Sequence, residues 1–376
     1  MELLKLNSER VAILLPNLQE GGAERVMLNL ANCLVERGLG VDLVLQRAEG
    51  CFLSQVSDKV TVVDLNAKSM ASSGFALVLY LRRRRPRAVL AALTTTNILG
   101  TLAKRLAKVD TRIVISEHNT LSIASRNSQS LKGRCAPLLQ RVVYRWADGI
   151  VAVSDGVADD LAQTIRLPRR RIEVIYNPVV TPELLRKAQE TVEHRWLRPG
   201  EPPVVLTVGR LTKQKDLPTL LRAFALVRKE RAARLLILGE GEERSRLRTL
   251  IEDLGITQDV DMPGFVDNPY KYMSHAAVFV LSSRWEGLSS VLIEAMACGT
   301  RVISTDCPHG PKLILGDGKY GLLVPVGDID ALATELSRVL AGGSDAPLPP
   351  PEAWSSFTPD AIIPKYVEVL LRQKSG

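Results

Sequence analysis

Short apolar runs alternate along this chain with longer stretches whose apolar residues recur every three or four positions. Residues 11–15, 41–45, 61–65, 88–93, 112–116, 149–153 and 172–175 are runs of the first kind, and 204–208, 235–238, 276–281 and 301–304 continue the series. Such runs, mostly apolar and bounded by polar or glycine residues, read as strands of a parallel sheet buried on both faces. Between them, residues 23–37 carry Val26, Leu30 and Leu34 at helical spacing and stop at Gly38. Residues 100–107, 131–146, 291–298 (closed by Gly299) and 360–371 also read as helices, the last with Ile362, Tyr366, Val369 and Leu370 on one side. Strand–helix alternation predicts an α/β protein with doubly wound parallel sheets.

The pattern breaks once. Asn177-Pro178 ends the first series, residues 181–200 are polar and only partly helical, and a Pro-Gly-Glu-Pro-Pro cluster at 199–203 precedes the restart at Val204. The expected division is residues 1–178, residues 179–356, and a closing helical segment 357–376 behind the stiff Pro-rich stretch 346–351. At 376 residues the chain is long enough for two cores.

Composition narrows the class. With 46% hydrophobic and 24% charged residues the chain reads as a folded soluble protein, and no stretch is apolar for the ~18 residues a spanning helix needs. Residues 1–15 mix charged and apolar positions without a small-residue cleavage site, so no signal peptide is expected. Cys33, Cys51, Cys135, Cys298 and Cys307 are scattered, with no CxxC pair; this fits a reducing compartment and argues against a zinc site. The net charge of +8 asks for an anionic partner: nucleic acid, an anionic membrane face or a phosphorylated substrate. Only 5% of residues are aromatic, which leaves little for base stacking, so nucleic acid is set aside. The densest basic cluster is Arg82 to Arg85 with Arg87, whose plain reading is a solvated helix end. A second is residues 131–146, where Lys132, Arg134, Arg141 and Arg145 interleave with Leu138, Leu139, Val142, Val143, Tyr144 and Trp146. That stripe could lie on an anionic bilayer or contact the phosphates of a lipid-linked acceptor; a core helix with arginines facing water is the alternative.

The densest candidate chemistry lies in residues 279–312. A strand ending at Ser282-Ser283 leads to Glu286, Gly287, Leu288, Ser289 and Ser290, which open the helix containing Glu294. Loops at the carboxyl ends of parallel strands hold ligands in α/β sheets, and a helix N-terminus with free amides at Ser289 and Ser290 suits an anion. A helical side chain leans toward its own N-terminus, so Glu294 leans toward that guest. A carboxylate would repel phosphates and suits instead the diol of a ribose. The combination suggests a nucleoside diphosphate carrying a sugar.

Other loops follow strands in the same way. Pro16-Asn-Leu-Gln-Glu-Gly21-Gly22 joins a strand to a helix, and a glycine pair lets a ligand approach the backbone, although a tight turn would also use one. The strand 112–116 delivers Glu117-His118-Asn119, which puts His118 at a site-forming position. After 204–208 come Gly209, Arg210 and Lys215, able to neutralise a diphosphate as a fork and a point charge. Gly239 opens a Gly-x-Gly turn that is weak evidence by itself. The Asp259-Val-Asp261 pair could hold a metal, but it sits on a strand approach away from these loops, so no metal site is expected.

The stretch Glu286-Gly-Leu-Ser-Ser-Val-Leu-Ile-Glu294-Ala-Met-Ala-Cys-Gly299, with Thr305-Asp-Cys-Pro-His-Gly-Pro-Lys312 after it, resembles the signature of retaining nucleotide-sugar glycosyltransferases of the GT-B fold, family four or group one. Its second part resembles members that build bacterial surface and lipid-linked oligosaccharides. The resemblance covers essentially the whole chain. It implies two Rossmann-like domains with a cleft between them, an N-terminal acceptor domain, a C-terminal donor domain and a last helix returning to the N-terminal domain. It implies transfer of a hexose or N-acetylhexosamine from a nucleoside diphosphate sugar, a UDP-sugar ahead of a GDP-sugar, to a polyprenyl-diphosphate-linked or other cell-surface glycan precursor, without metal or other cofactor, at the cytoplasmic face of the inner membrane. By the same resemblance Glu286 would hold sugar hydroxyls, Glu294 the ribose, and Arg210 and Lys215 the diphosphate. His118 would position sugar or acceptor, Gly21 and Gly22 would sit over donor diphosphate and acceptor, and Phe265 and Val266 would lie near the base. His309 and Gly310 would touch the donor, with a plain turn as the alternative. A nucleotide-sugar epimerase of the same architecture and a non-catalytic basic module binding membrane or RNA remain as alternatives.

Overall fold

A computed structural model describes residues 9–19, 21–127, 131–342 and 347–373. The side chains of Lys132, Arg134 and Cys135, and the residues Glu20 and Ala346, lie outside the described residues. The chain forms two compact units: residues up to Pro178 together with those from Pro359 onward, and Val179–Thr358.

The first unit is built on seven parallel strands: β1 (Arg10–Leu15), β2 (Gly40–Leu45), β3 (Thr61–Asp64), β4 (Ala88–Ala92), β5 (Arg112–Glu117), β6 (Gly149–Ala152) and β7 (Ile172–Val174), in the order β3-β2-β1-β4-β5-β6-β7. The central strands β1, β4 and β5 are buried almost end to end, which is why the middle of each is apolar. The second unit has six parallel strands: β8 (Val204–Val208), β9 (Arg234–Leu238), β10 (Val260–Gly264), β11 (Val278–Leu281), β12 (Val302–Thr305) and β13 (Leu322–Val324), ordered β10-β9-β8-β11-β12-β13. Each sheet winds outward in both directions from its first strand. The order reverses between β1 and β4 in one unit and between β8 and β11 in the other, the two switch points at which such sheets open a crevice.

The last helix, Pro359–Leu371, belongs to the first unit and buries Ile362, Ile363, Tyr366, Val369 and Leu370. Arg112 Nε donates to the Val369 carbonyl at 2.8 Å, and Arg372 forks onto both carboxylate oxygens of Glu173 at 2.8 and 3.0 Å. Several helices lie outside the stretches read as helical from the sequence. Met70–Arg84 begins at a capping box between Ser69 and Ser72, and Thr94–Ala107 starts well before Gly100 because Leu93, at φ 77°, turns the chain into it. Asp155–Ile165, Leu217–Glu230, Arg244–Asp253 and Ile329–Leu340 complete the layers.

Candidate active site

In the second unit the polar groups collect at the carboxyl ends of β8 and β11, neighbours in the sheet. Two loops meet there and are stitched together: Arg284 N donates to Gln214 O at 2.8 Å, Gln214 Nε2 to Trp285 O at 2.9 Å, and Ser282 Oγ to Lys215 O at 2.7 Å. Asp216, at φ 45°, ends the first loop, where Arg284 (3.1 Å) and Thr219 (2.9 Å) hold its carboxylate. The stitching presents the side chain of residue 215 beside residue 286.

Lys215 Nζ lies 2.7 Å from Glu286 Oε1, and Ser283 Oγ donates to the same oxygen at 2.6 Å. Lys215 is therefore an ion-pair partner, where the sequence reading had it as a point charge for phosphate alone. Only 8% of the Glu286 side chain is exposed, so its charge is carried by these two donors. Arg210 is exposed, and its guanidinium makes no hydrogen bond or ion pair among the described residues. The small depression beside it is lined by Gly209, Arg210, Lys215, Leu281 and Ser282.

The helix after β11 runs Ser290–Ala297 and, after Ser290 at its start, is apolar all round except for Glu294, itself buried. Tyr270, reached through the Phe265–Val266 loop after β10, donates its hydroxyl to Glu294 Oε1 at 3.4 Å. The expectation of free amides at both Ser289 and Ser290 needs correction. Ser290 N already donates to Leu288 O at 2.8 Å, because the chain tightens in front of the helix. The amides of Leu288 and Ser289 have no acceptor among the described residues, and the buried Ser289 Oγ has no partner either. Gly310 has φ 125°, and a Cβ there would stand 3.4 Å from the Ser289 nitrogen and 3.7 Å from Glu286 Cβ, so its bareness leaves those groups open. His309 precedes it at φ 63°. Gly239, at φ 132°, packs its Cα against the Gly209 carbonyl, where a Cβ would collide; this glycine lets β8 and β9 deliver their loops side by side.

In the first unit His118 follows β5. It is 8% exposed, its Nε2 lies 3.1 Å from Ser116 Oγ, and burial pushes its pKa down to about 4, so the ring is neutral near pH 7. Glu117 beside it is fully buried. Burial raises its carboxyl to about 7 against the lowering effect of donors from Tyr144, Asn97 (3.1 Å) and Gln140 (3.3 Å). Gly21 caps the helix Gly22–Glu36 in extended conformation, and neither Gly21 nor Gly22 takes a positive φ. A Cβ on Gly21 would overlap the Glu24 carboxylate. An acidic side chain thus already lies at this helix N-terminus, which counts against a phosphate there.

Each aspartate of the Asp259–Asp261 pair has side-chain partners of its own. Asp259 pairs with Arg228 at 2.8 Å and with Arg234, and Asp261 lies 3.0 Å from His194 Nε2. Among the described residues no group of His, Cys, Asp and Glu could hold a metal ion, and Cys33, Cys51, Cys298 and Cys307 are free thiols. Sequence reasoning missed Ser283, Gln214 and Tyr270 at the second-unit edge and Asn97, Gln140 and Tyr144 behind Glu117. Ser283 stood at the end of a strand run, which was a usable signal; the others lie far from their partners in sequence.

Two doubly wound parallel sheets in one chain define the GT-B architecture. The comparison with sucrose-phosphate synthase from Thermosynechococcus elongatus bears out that fold: TM-score 0.81 at 20% identity, covering 96% of this chain and 98% of that one. Residues 20–183 match the sequence model of Glycosyltransferase Family 4, and residues 188–354 match that of Glycosyl transferases group 1. The chain belongs to these group 1, family 4 glycosyltransferases. It is 33% identical over 250 residues to the N-acetylgalactosamine-N,N'-diacetylbacillosaminyl-diphospho-undecaprenol 4-alpha-N-acetylgalactosaminyltransferase of Campylobacter jejuni, a match spanning 66% of this chain and 65% of the relative. It is 27% identical over 330 residues to the lipopolysaccharide core biosynthesis glycosyltransferase LpsE of Rhizobium meliloti, covering 87% of each.

Proposed function

We propose that this protein transfers a hexosyl or N-acetylhexosaminyl group from a nucleoside diphosphate sugar to a glycan precursor carried on a polyprenyl diphosphate, with retention of anomeric configuration. The observation that carries the reading is the meeting, at one sheet edge, of the unpaired Arg210 guanidinium, Lys215, the open amides of Leu288 and Ser289, and the two buried carboxylates Glu286 and Glu294. Cleaving the sugar–phosphate bond builds negative charge on the departing diphosphate. Donors already fixed around that position stabilise the charge without reorganising, which is where such sites gain most of their rate. Arg210 offers a fork, Lys215 a charge it shares with Glu286, and the amides two aligned dipoles. Glu286, oriented through one oxygen by Lys215 and Ser283, accepts hydroxyls of the transferred sugar; Glu294 accepts those of the ribose. The acceptor attacks from the face the diphosphate leaves, and the leaving phosphate takes its proton.

In the first unit, neutral His118 gives or takes a hydrogen bond with a sugar or acceptor hydroxyl. The Campylobacter relative is named for transfer onto a diphospho-undecaprenol-linked sugar, which supports a lipid-linked acceptor and an N-acetylhexosamine. The donor is a UDP-sugar, no metal takes part, and the reaction occurs at the cytoplasmic face of the inner membrane. The test pairs calorimetric titration of UDP and GDP with turnover of their sugar conjugates on polyprenyl-diphosphate glycans. Glu286→Gln should bind UDP at least as well as the parent, since Lys215 loses its counter-charge, and should transfer no sugar. Lys215→Ala should weaken binding about tenfold or more, the loss expected for one charge-assisted hydrogen bond. Glu286→Gln keeping full turnover would defeat the reading, and donor consumed without acceptor would mark an epimerase.

A further inference from the structure

The last helix buries an aliphatic face, Ile362, Ile363, Val369 and Leu370, with Tyr366 in its middle. The Tyr366 hydroxyl thus ends in apolar surroundings. It meets no partner of full hydrogen-bond geometry among the described residues, and the polar side chain within its reach is Ser116. Ser116 is wholly buried in β5, where its in-register neighbours, Ala92 of β4 and Val151 of β6, are apolar. Its hydroxyl lies 3.1 Å from His118 Nε2 and bonds no backbone carbonyl among the described residues. Its carbonyl accepts from Asn97 Nδ2 at 3.0 Å, which fixes the strand at this point. His118 Nδ1 has no partner among the described residues. Residues 366, 116 and 118 therefore bring three polar atoms together in series: Tyr366 Oη, Ser116 Oγ and His118 Nε2.

The protons give this series a direction. Each hydroxyl has one proton to donate, and a neutral imidazole has one N–H nitrogen and one bare nitrogen. His118 is neutral near pH 7, so its tautomer follows from the groups around it. With the ring proton on Nε2, that proton goes to Ser116 Oγ. One hydroxyl proton, of Ser116 or of Tyr366, is then left buried without an acceptor, which is the costly arrangement. In the opposite sense every proton is used. Tyr366 donates to Ser116, Ser116 donates to Nε2, and the ring proton sits on Nδ1.

We propose that Ser116 and Tyr366 are positioning residues for His118, holding its ring in the tautomer that offers Nδ1–H as a donor to a substrate hydroxyl oxygen. The inference rests on the reading of His118 as a ligand of sugar or acceptor, and it adds the sense of that bond: the ring gives it. It also ties the last helix of the chain to the loop after β5 through a single phenol oxygen. A ring free to exchange tautomers would turn a bare nitrogen toward the substrate for part of the time.

The test is long-range proton–nitrogen correlation spectroscopy of the full chain, labelled with nitrogen-15 at histidine. The His118 ring is identified by the signals that vanish in His118→Gln. The parent should show an N–H nitrogen at Nδ1 and a bare nitrogen at Nε2. Tyr366→Phe removes one oxygen from a buried face and keeps its packing, and Ser116→Ala removes one hydroxyl. Each should raise the Nε2–H share relative to Nδ1–H about fivefold, the weight of one neutral hydrogen bond. Ser116→Ala should also lower kcat for transfer about fivefold, with KM for the donor within about twofold of the parent. A parent ring protonated at Nε2 would overturn the proposal, and so would a tautomer ratio that neither variant moves. A shifted ratio in Ser116→Ala with kcat unchanged would overturn the positioning role. Should the parent transfer no sugar, the glycosyl-transfer reading falls, while the ring spectra still decide the tautomer.

Discussion

Glu117 and His118 are adjacent, buried and displaced in opposite directions, which makes the first unit's response to acid a test of how the site edge is built. Burial raises the Glu117 carboxyl from 4.5 to about 7 and lowers the His118 imidazole from 6.5 to about 4. At ~1.4 kcal/mol per pH unit, each displacement is worth about 3 kcal/mol. For Glu117 the folded pKa is raised, so its contribution is fully present below pH 4.5 and is lost as pH rises through about 7. For His118 the folded pKa is depressed, so its contribution is present above pH 6.5 and is lost as pH falls through about 4. The two nearly cancel across the same window. Single substitutions expose them. Relative to the parent, Glu117→Gln should lose about 3 kcal/mol as pH falls from 7.5 to 4.5, and His118→Gln should gain about as much. Gln at 117 keeps an oxygen for Tyr144, Asn97 and Gln140 and adds an N–H where the buried Asn97 Oδ1 and Gln140 Oε1 have no donor. Amide hydrogen exchange at Ile113, Val114 and Ile115 in β5 reads the first unit alone. Variant-minus-parent differences that stay flat within about 0.5 kcal/mol over that pH range would refute the argument.

Glu294→Gln should weaken UDP about tenfold or more and leave inorganic pyrophosphate unaffected in calorimetry, because its carboxylate is read as a ribose ligand. Gly239→Ala should destabilise the second unit by about 2–5 kcal/mol in thermal melts, since a Cβ meets the Gly209 carbonyl at a φ of 132°. Chelators should leave turnover unchanged, and strong activation by a divalent ion would reopen the Asp259–Asp261 pair.

Most strands of the sheets were legible because they are largely buried and so spell themselves as mainly apolar runs; the half-exposed β10, VDMPG, and the short β13 are not among those runs. The helices were less so. Thr94, Thr95 and Thr96 hid a helix start, and the acid-free Met70–Arg84 has too shallow an apolar period to stand out from its sequence. At the second-unit edge, residue types and order pointed to 210, 215, 286 and 294. The Lys215–Glu286 ion pair and the tied-off Ser290 amide depend on how two loops are stitched, which no local spacing encodes. Glu117's three donors come from residues 97, 140 and 144, brought to it only by the fold.

The most direct measurement is a crystal of the chain soaked in UDP. The account predicts diphosphate density within hydrogen-bond distance of the Arg210 guanidinium and the Leu288 and Ser289 amides, with the ribose hydroxyls on Glu294. Nucleotide bound elsewhere, or that edge still bare at saturating UDP, would contradict it.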